Sequence, residues 1–461
     1  MARRLVVIGG DAAGMSAAAE ARRRSDPAEL DIVVFEKGDY TSYAACGLPY
    51  FVGGLVPDVD DLIARTPEQH RANGIDVRTG HEVLEVDLDA RRVSGRRRTD
   101  SGDGATFSEP FDELLFATGA QPVRPDLPGA GATGIHGVQT VTDGIALRDH
   151  VRASGTKRAV VVGGGYIGLE MAEAMRRLGI AVTLVERSPQ LMGTLDPDMA
   201  ALVADALGGI GVDVRLDTSV VGFDTDDRGA VRAVVTKDDT YPADVVVLGL
   251  GVRPGSALAK DAGVRVGPTG GIATDRRMAT SADGVWAAGD CVETFHRVSR
   301  KPVAIALGTH ANKQGKVVGV NVTGGYAAFP GVIGTAVTMV CDLQVARTGL
   351  SAREATAAGF EFVEARIEGT SRAAYYPDNE TLHVKVLADA RSGQMIGAQI
   401  VGREGAAKRI DVLAAAIWAG MTADEFSMLD LGYAPPYSPL WDPTLIAARK
   451  AHRKLEHPPA D

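Results

Sequence analysis

Cysteine is almost absent from this 461-residue chain. Cys46, Cys291 and Cys341 are the three present, and no two are spaced as a CxxC or CxxxxC pair. A disulfide framework is therefore excluded as the source of stability, and a reducing compartment is expected. Long apolar runs are missing too. None approaches a membrane span, and Met-Ala-Arg-Arg passes straight into Leu5-Val6-Val7-Ile8 without room for an apolar leader and cleavage site. The expected location is the cytoplasm, with no membrane partner. There is no excess of positive charge. A net charge of -10 argues against nucleic acid as a partner, and runs such as Arg22-Arg23-Arg24 and Arg96-Arg97-Arg98 read as solvated faces. Aromatics are only 5% of the chain whereas glycines number 55, which suits helices packed closely on parallel sheets and tight phosphate-binding turns.

What is present is a repeat. The pattern strand, glycine turn, small-residue helix, strand, acidic residue occurs twice. The first copy runs from Leu5 through Gly9, Gly10 and Gly14, along a helix from Met15 to Arg24, into Ile32-Val33-Val34-Phe35-Glu36. The second runs from Ala159 through Gly163, Gly165 and Gly168, along a helix to Arg177, into Val182-Thr183-Leu184-Val185-Glu186. Each has the length of about 30 residues that two parallel strands and a crossover helix require. Each later returns to its sheet, through Leu114-Leu115-Phe116-Ala117-Thr118-Gly119 and through Val245-Val246-Val247-Leu248-Gly249. Two dinucleotide sites in one chain imply electrons passed between two dinucleotides. A further strand ending at Gly289-Asp290, followed by a helix from about Val303 to Val320, is assigned to the first domain, which is then discontinuous. From about Gly331 the texture changes to alternating β-branched and polar residues with helices between, the mark of a third, α+β domain.

Gly163, Gly165 and Gly168 stand between a strand and a helix, with Glu186 closing the next strand. The glycines permit a tight turn that brings backbone N–H groups to a pyrophosphate, and the carboxylate accepts from ribose hydroxyls. Glu186 favours NADH, since a carboxylate repels a 2′-phosphate, and Arg187 beside it keeps NADPH open. In the first copy Gly9 and Gly14 are in place but Asp11 replaces the middle glycine, so its side chain is expected to turn away from the phosphates or toward water. Glu36 remains available for a ribose. Taken alone, Asp290 reads equally as a helix N-cap or as an acceptor for cofactor hydroxyls; within the set it is read as a flavin contact.

Gly9-Gly10-x-Ala12-Ala13-Gly14-Met15-Ser16-Ala17-Ala18, Ser42-Tyr43-Ala44-Ala45-Cys46-Gly47-Leu48-Pro49-Tyr50 and Tyr433-Ala434-Pro435-Pro436-Tyr437-Ser438 resemble the coenzyme A-disulfide reductases and the related NADH oxidases and persulfide reductases. These form the single-cysteine branch of the pyridine nucleotide-disulfide oxidoreductases, and the resemblance covers essentially the whole chain. It implies an α/β fold of two Rossmann-like domains, the FAD domain discontinuous, plus a C-terminal α+β dimerisation domain. The boundaries expected are 1–149 and 276–328 for the FAD domain, 150–275 for the NAD(P)H domain, 329–448 for dimerisation and 449–461 for a tail that frays. It also implies FAD, NADH or NADPH, and a homodimer whose active site is completed by the partner's third domain. Ser42, Thr118 and Gly119 join Gly9, Gly14, Glu36 and Asp290 as expected FAD contacts; no metal is expected.

Cys46 is the expected nucleophile. It follows the first repeat, where the chain passes the flavin, in a small-residue segment before Pro49, and a thiol beside a helix N-terminus and an oxidised flavin is expected to have a lowered pKa. Dithiol relatives carry a second cysteine five residues later, where this chain has Phe51, so the partner sulfur comes from the substrate. Cys291 and Cys341 read as small buried hydrophobes. By resemblance Tyr433 is the partner-subunit acid that protonates the leaving thiolate, and Tyr375 lines the same pocket; interface packing is the other reading of both. Ala45, where these reductases often have asparagine, and Glu20, where a neutral amide faces coenzyme A, depart from the pattern; Arg23 reads equally as a phosphate contact or a surface residue. The reaction expected is reduction of coenzyme A disulfide or a related disulfide or persulfide. The alternatives are a water-forming NADH oxidase cycling Cys46 through a sulfenate and an electron carrier to a redox protein, which leaves Cys46 idle.

Overall fold

The computed structural model describes residues 2–98, 104–153 and 155–457. Its first sheet is parallel, in the order Val285–Ala287, Glu113–Phe116, Arg3–Ile8, Leu30–Phe35, Asp76–Arg78. The second is also parallel: Val212–Arg215, Ala181–Val185, Arg158–Val162, Val245–Leu248, Ile135–Gly137. Central strands such as Leu5 to Ile8 and Val245 to Leu248 are buried at every position. That is why they read as unbroken apolar runs instead of alternating ones: helices cover one face and a three-stranded antiparallel sheet packs on the other. The third sheet is antiparallel, in the order Ala336–Val340, Leu343–Gly349, Met395–Gly402, Thr381–Asp389, Phe362–Thr370. Ala406–Ala419 and Pro443–Glu456 pack on it around Leu413, Phe426 and Ala447. Among the described residues no helix is long and apolar enough to cross a membrane.

Small residues in the first repeat have a packing cause. Helices Ala12–Arg24 and Gly308–Val322 lie backbone against backbone, so a Cβ on Gly315 would stand 2.2 Å from the Ala13 carbonyl oxygen and one on Gly319 2.6 Å from that of Ala17. The return segment thus belongs to the first sheet through its strand and its helix, which makes that domain discontinuous.

Three expectations need correction. The return helix starts at Gly308, not near Val303, because Pro302–Val303 pairs with Thr294–Phe295 as a two-stranded ribbon. The division at 149/150 falls too late. Ile135–Gly137 is already the edge strand of the second sheet, too short at three residues to show a period in sequence, and the helix Val141–Ala153 runs across the division. The segment after Ala448 does not fray. The helix Pro443–Glu456 continues with Ala451 fully buried, and Lys450 Nζ and Lys454 Nζ donate to the carbonyls of Arg366 (2.9 Å) and Glu364 (2.8 Å). The basic run is the solvated face of a packed helix; residues 458–461 of the expected tail lie outside the described residues.

Gly315→Ala tests the helix contact. The added methyl forces two backbones apart, so unfolding free energy should fall by about 1–3 kcal/mol, the usual cost of overpacking, measured by urea denaturation. An unchanged midpoint would mean that the helices separate freely and that the glycine has no packing role.

Candidate active site

The two glycine turns are near copies. Gly9 and Gly163 have φ +109° and +110°, open only to glycine at low cost. A Cβ on Gly14 would lie 1.9 Å from the Gly9 carbonyl oxygen, and one on Gly168 1.8 Å from that of Gly163. Each turn is tied to the carboxylate ending the next strand. Glu36 accepts from Gly10 N–H (2.8 Å) and Gly38 N–H (2.7 Å), and Glu186 accepts from Gly164 N–H (2.7 Å) and Ser188 N–H (2.8 Å). Each carboxylate oxygen therefore keeps acceptor capacity for a ribose diol, in a place the backbone fixes. A Cβ on Gly165 would meet nothing within 4 Å. Open space over a helix N-terminus, beside a fixed carboxylate, fits a dinucleotide at the second turn.

Asp11 stands at the place of Gly165 and turns away, accepting from Tyr43 N–H at 3.2 Å. Burial first, and then the nearby carboxylates Glu36 and Asp290, push its pKa up to about 6 against the opposing Tyr43 bond. Asp290 is also pushed up to about 6 by burial, while accepting from the Leu307 N–H just ahead of the helix Gly308–Val322. Leu307 is the N-cap there, so Asp290 binds the backbone at the helix entry without capping it. Ser42, at φ +50°, donates its N–H to the Gly10 carbonyl (3.3 Å), and its hydroxyl meets His70 Nε2 at 3.0 Å. Thr118 and Gly119 are tied to Gly255: Thr118 Oγ1 donates to the Gly255 carbonyl (2.5 Å) and Gly255 N–H to that of Gly119 (2.8 Å). These bonds flank the antiparallel ribbon Ala120–Pro122 with Val252–Pro254 that joins the two nucleotide domains.

Cys46 is exposed on the short 3-10 turn Ala45–Gly47, which runs into the helix Leu48–Val52. The elbow is anchored from below. Leu48 and Phe51 are buried, a Cβ on Gly47 would stand 2.4 Å from Leu62 Cδ2, and Ala44 N–H donates to Leu62 O at 2.8 Å. Phe51 is completely buried, with the Arg148 guanidinium 3.6 Å from its ring centroid. The chain's own groups do not lower the Cys46 pKa as expected. Crowding by protein atoms raises it, and the Glu170 and Asp290 carboxylates raise it further. The reason is that burial disfavours the charged thiolate, and nearby carboxylates disfavour it further. Cys291 is buried, as a structural cysteine would be; Cys341 is half-buried on a tight turn at φ +60°.

Sequence reasoning missed Glu170. It sits on the helix Tyr166–Arg177, and the Thr338 hydroxyl of the third sheet donates to its Oε1 at 2.6 Å. One turn on, Glu173 accepts the Cys341 N–H at 2.8 Å. The signal available was a pair of carboxylates three residues apart on one face of the helix following the second glycine turn.

The structure brings Tyr375 and Tyr433 together. Their phenols hydrogen-bond, which raises the Tyr375 pKa, and both are exposed on the third domain. Arg409, also missed, holds the segment. It donates to Asp442 Oδ2 (2.9 Å) and to the carbonyls of Ser371 (2.8 Å) and Tyr437 (2.8 Å), tying both tyrosine-bearing loops to one guanidinium. Glu20 is buried and pairs with both Arg23 and Arg24, so Arg23 is already neutralised on its own helix.

A family model described as pyridine nucleotide-disulphide oxidoreductase matches residues 3–315, and the model for that family's dimerisation domain matches residues 335–443. The chain is similar to the NAD(P)H coenzyme A polysulfide/persulfide reductase of Pyrococcus horikoshii, at 37% identity over 97% of this chain and 98% of that one. It is similar to a NADH oxidase of Methanocaldococcus jannaschii at 35% identity, over 98% and 100% of the two chains. Among solved structures, a NAD-dependent persulfide reductase from A. fulgidus superimposes with a TM-score of 0.94 at 40% identity, over 98% of this chain and 84% of that one.

Two outcomes are expected from this geometry. Because the Asp11 pKa in the folded chain, about 6, exceeds its ordinary 3.8, its neutral form favours the fold at low pH. That contribution is lost as pH rises through about 6. In the flavin-free protein Asp11→Asn should therefore flatten part of the fall in urea stability between roughly pH 4 and 6; parallel wild-type and variant profiles would contradict the assignment. Glu170→Gln removes a carboxylate that raises the Cys46 pKa, so iodoacetamide should label Cys46 about two- to fivefold faster at pH 7.5. An unaltered rate would show that Glu170 does not reach the thiol electrostatically.

Proposed function

The chain belongs to the pyridine nucleotide-disulphide oxidoreductase family, and from that premise we propose that it is an FAD-dependent NAD(P)H oxidoreductase that reduces a low-molecular-weight disulfide. Coenzyme A disulfide, or a related disulfide or persulfide, is the substrate class. The observation that carries this reading is Cys46: an exposed single cysteine on a fixed elbow, with a fully buried Phe51 where a second sulfur would have to stand. Such a thiol can form a mixed disulfide only with a sulfur brought in by the substrate.

When bound, FAD would supply the acceptor for the hydride of NAD(P)H and the electron pair needed at sulfur. The residues to hold it are Gly9, Gly14 and Glu36 at the first turn, with Ser42 and Asp290 beside it and Thr118 and Gly119 at the domain junction. Gly163, Gly165, Gly168 and Glu186 hold NAD(P)H. Glu186 accepts from the adenosine ribose and repels a 2′-phosphate, which favours NADH, while Arg187 leaves NADPH usable. The Cys46 thiolate attacks one sulfur of the substrate disulfide, forming a new S–S bond as the old one breaks, and the departing thiolate takes a proton from the Tyr433 phenol. Tyr375, hydrogen-bonded to Tyr433, orients that phenol. The chain by itself raises the Cys46 pKa, so a bound cofactor would have to favour the thiolate.

Homodimer formation is supported by the family's dimerisation domain and by the exposed apolar surface of the third domain. Met428, Tyr433, Tyr437 and Leu440 are 74%, 47%, 77% and 71% exposed in the single chain, a patch that a partner would cover. In this reading Tyr433 serves the partner's Cys46. Three unpaired cysteines suit a reducing cytoplasm. The NADH oxidase reading has a relative of that name behind it, and disulfide-dependent against oxygen-dependent NADH consumption separates the two.

The test uses mixed dimers. Cys46→Ser should keep FAD and NADH oxidation by artificial acceptors while losing disulfide turnover, and Tyr433→Phe should slow that turnover by about 10² to 10⁴, the range for a lost general acid. Mixing the two should restore activity at one site per heterodimer. Retained disulfide turnover in Cys46→Ser would remove the assigned nucleophile, and inactive heterodimers despite confirmed subunit exchange would remove Tyr433 from the partner's site.

A further inference from the structure

The geometry points to a role for the third domain in pyridine-nucleotide binding: we propose that Arg347 is a positioning residue for NAD(P)H, acting by holding segment 191–194 against Gly164. The inference rests on the assignment of the second glycine turn to NAD(P)H and goes beyond it, because Arg347 lies on another domain.

Gly164 is the residue of that turn whose N–H is fixed by Glu186. Its other side is fixed by segment 191–194. Its carbonyl accepts the Met192 N–H at 2.8 Å, and Leu191 Cδ2 lies 2.5 Å from where a Gly164 Cβ would stand. Met192 holds a left-handed conformation, φ +48°, which an unbranched side chain adopts only at a cost and which other contacts must maintain. Met192 itself is held by Gly164 and by the Leu195 N–H, which donates to its carbonyl at 2.7 Å; the two residues after it are held from the third domain. Arg347 Nη1 donates to the Thr194 carbonyl at 2.9 Å, and Arg353 Nη2 to that of Gly193 at 2.9 Å. Two residues on, Asp196 N–H donates to Gln399 Oε1 (2.9 Å), and the Asp196 carboxylate takes the Ala352 N–H (2.9 Å) and pairs with Lys385 (3.1 Å).

Arg347 is built to hold its place. It is 7% exposed on the strand Leu343–Gly349, with its guanidinium engaged by both Glu354 oxygens (3.3 and 2.7 Å) and by the Gly349 carbonyl (2.6 Å). Its direction is therefore set before it meets Thr194, and the bond to Thr194 is charge-assisted. One continuous line of contacts runs from the third sheet through Arg347, Thr194 and Met192 to Gly164. Without Arg347 the Thr194 carbonyl loses its donor, the strained Met192 relaxes and the turn is no longer held from behind. An incoming nucleotide must then order the turn itself, which weakens binding without touching the reacting atoms.

The test measures flavin reduction by NADH in rapid mixing, on holoenzyme carrying Arg347→Met, Arg353→Ala or, as the site's own control, Glu186→Ala. FAD content and the rate of Cys46 alkylation are followed alongside. Arg347→Met should raise the NADH concentration for half-maximal rate about tenfold and leave the limiting rate, FAD content and Cys46 alkylation as in wild type. An unchanged half-maximal concentration beside a weakened Glu186→Ala overturns the proposal and leaves the nucleotide site standing. No change in either variant overturns the site assignment itself. Parallel loss of FAD and altered alkylation mean that Arg347 only stabilises the fold, which also overturns it. Should Arg347→Met fail to fold, the exposed Arg353→Ala, which frees the Gly193 carbonyl, carries the test: about a twofold rise supports the proposal, and none defeats it.

Discussion

The arrangement depends on a contact with no room in it: the carbonyl of the first glycine in each turn pressed against the Cα of the last, Gly9 on Gly14 and Gly163 on Gly168. A side chain at either Gly14 or Gly168 would stand inside that carbonyl. The closeness lets each helix begin directly above its strand, so that the first free N–H groups and the carboxylate at the end of the next strand face the same space. Once Glu36 and Glu186 have each taken two backbone N–H groups, turn, strand end and carboxylate form one rigid unit. The rest of the first domain follows from the same economy of volume, with Gly315 and Gly319 bringing the return helix onto the first one.

The two copies have diverged in what fills the turn. At the second turn Gly165 leaves its space open. At the first, Asp11 fills the equivalent place and is drawn to Tyr43 N–H, which fastens the turn to the segment carrying Ser42 and Cys46. The exchange adds a link between the glycine turn and the segment carrying Cys46. Its cost is a buried carboxyl with a pKa raised to about 6.

The third domain also packs on the other two. Thr338 reaches Glu170 beside Cys46, Cys341 N–H reaches Glu173 a turn later, and Arg347 with Arg353 reaches segment 191–194 behind the second turn. Lys385, 5% exposed, sits among Asp196, Asp198 and Glu364 and fastens the same junction. A buried cation shared among carboxylates from two domains fixes their relative placement more than it adds net stability. Segments far apart in sequence thereby meet at one junction.

Much of this was legible in the sequence because the physical cause was local. A glycine at φ near +110°, an apolar run buried on both faces and a carboxylate at a strand end each leave a mark at fixed spacing, so the duplicated nucleotide-binding units and the Cys46 elbow could be read directly. What escaped had non-local causes. The edge strand Ile135–Gly137 is defined only by its pairing with Val245–Leu248, and the helix past Ala448 only by the sheet beneath Ala451. The direction of the Cys46 pKa shift turned first on burial by the fold and then on Glu170, 124 positions along the chain. The pairing of Tyr375 with Tyr433 turned on Arg409 drawing two loops together. Sequence by itself determined the local backbone geometry and the inventory of reactive groups, since both are set by neighbours within a few residues. Tertiary structure alone decided which charges face which thiol or turn, because electrostatics and packing act across space without regard to position along the chain.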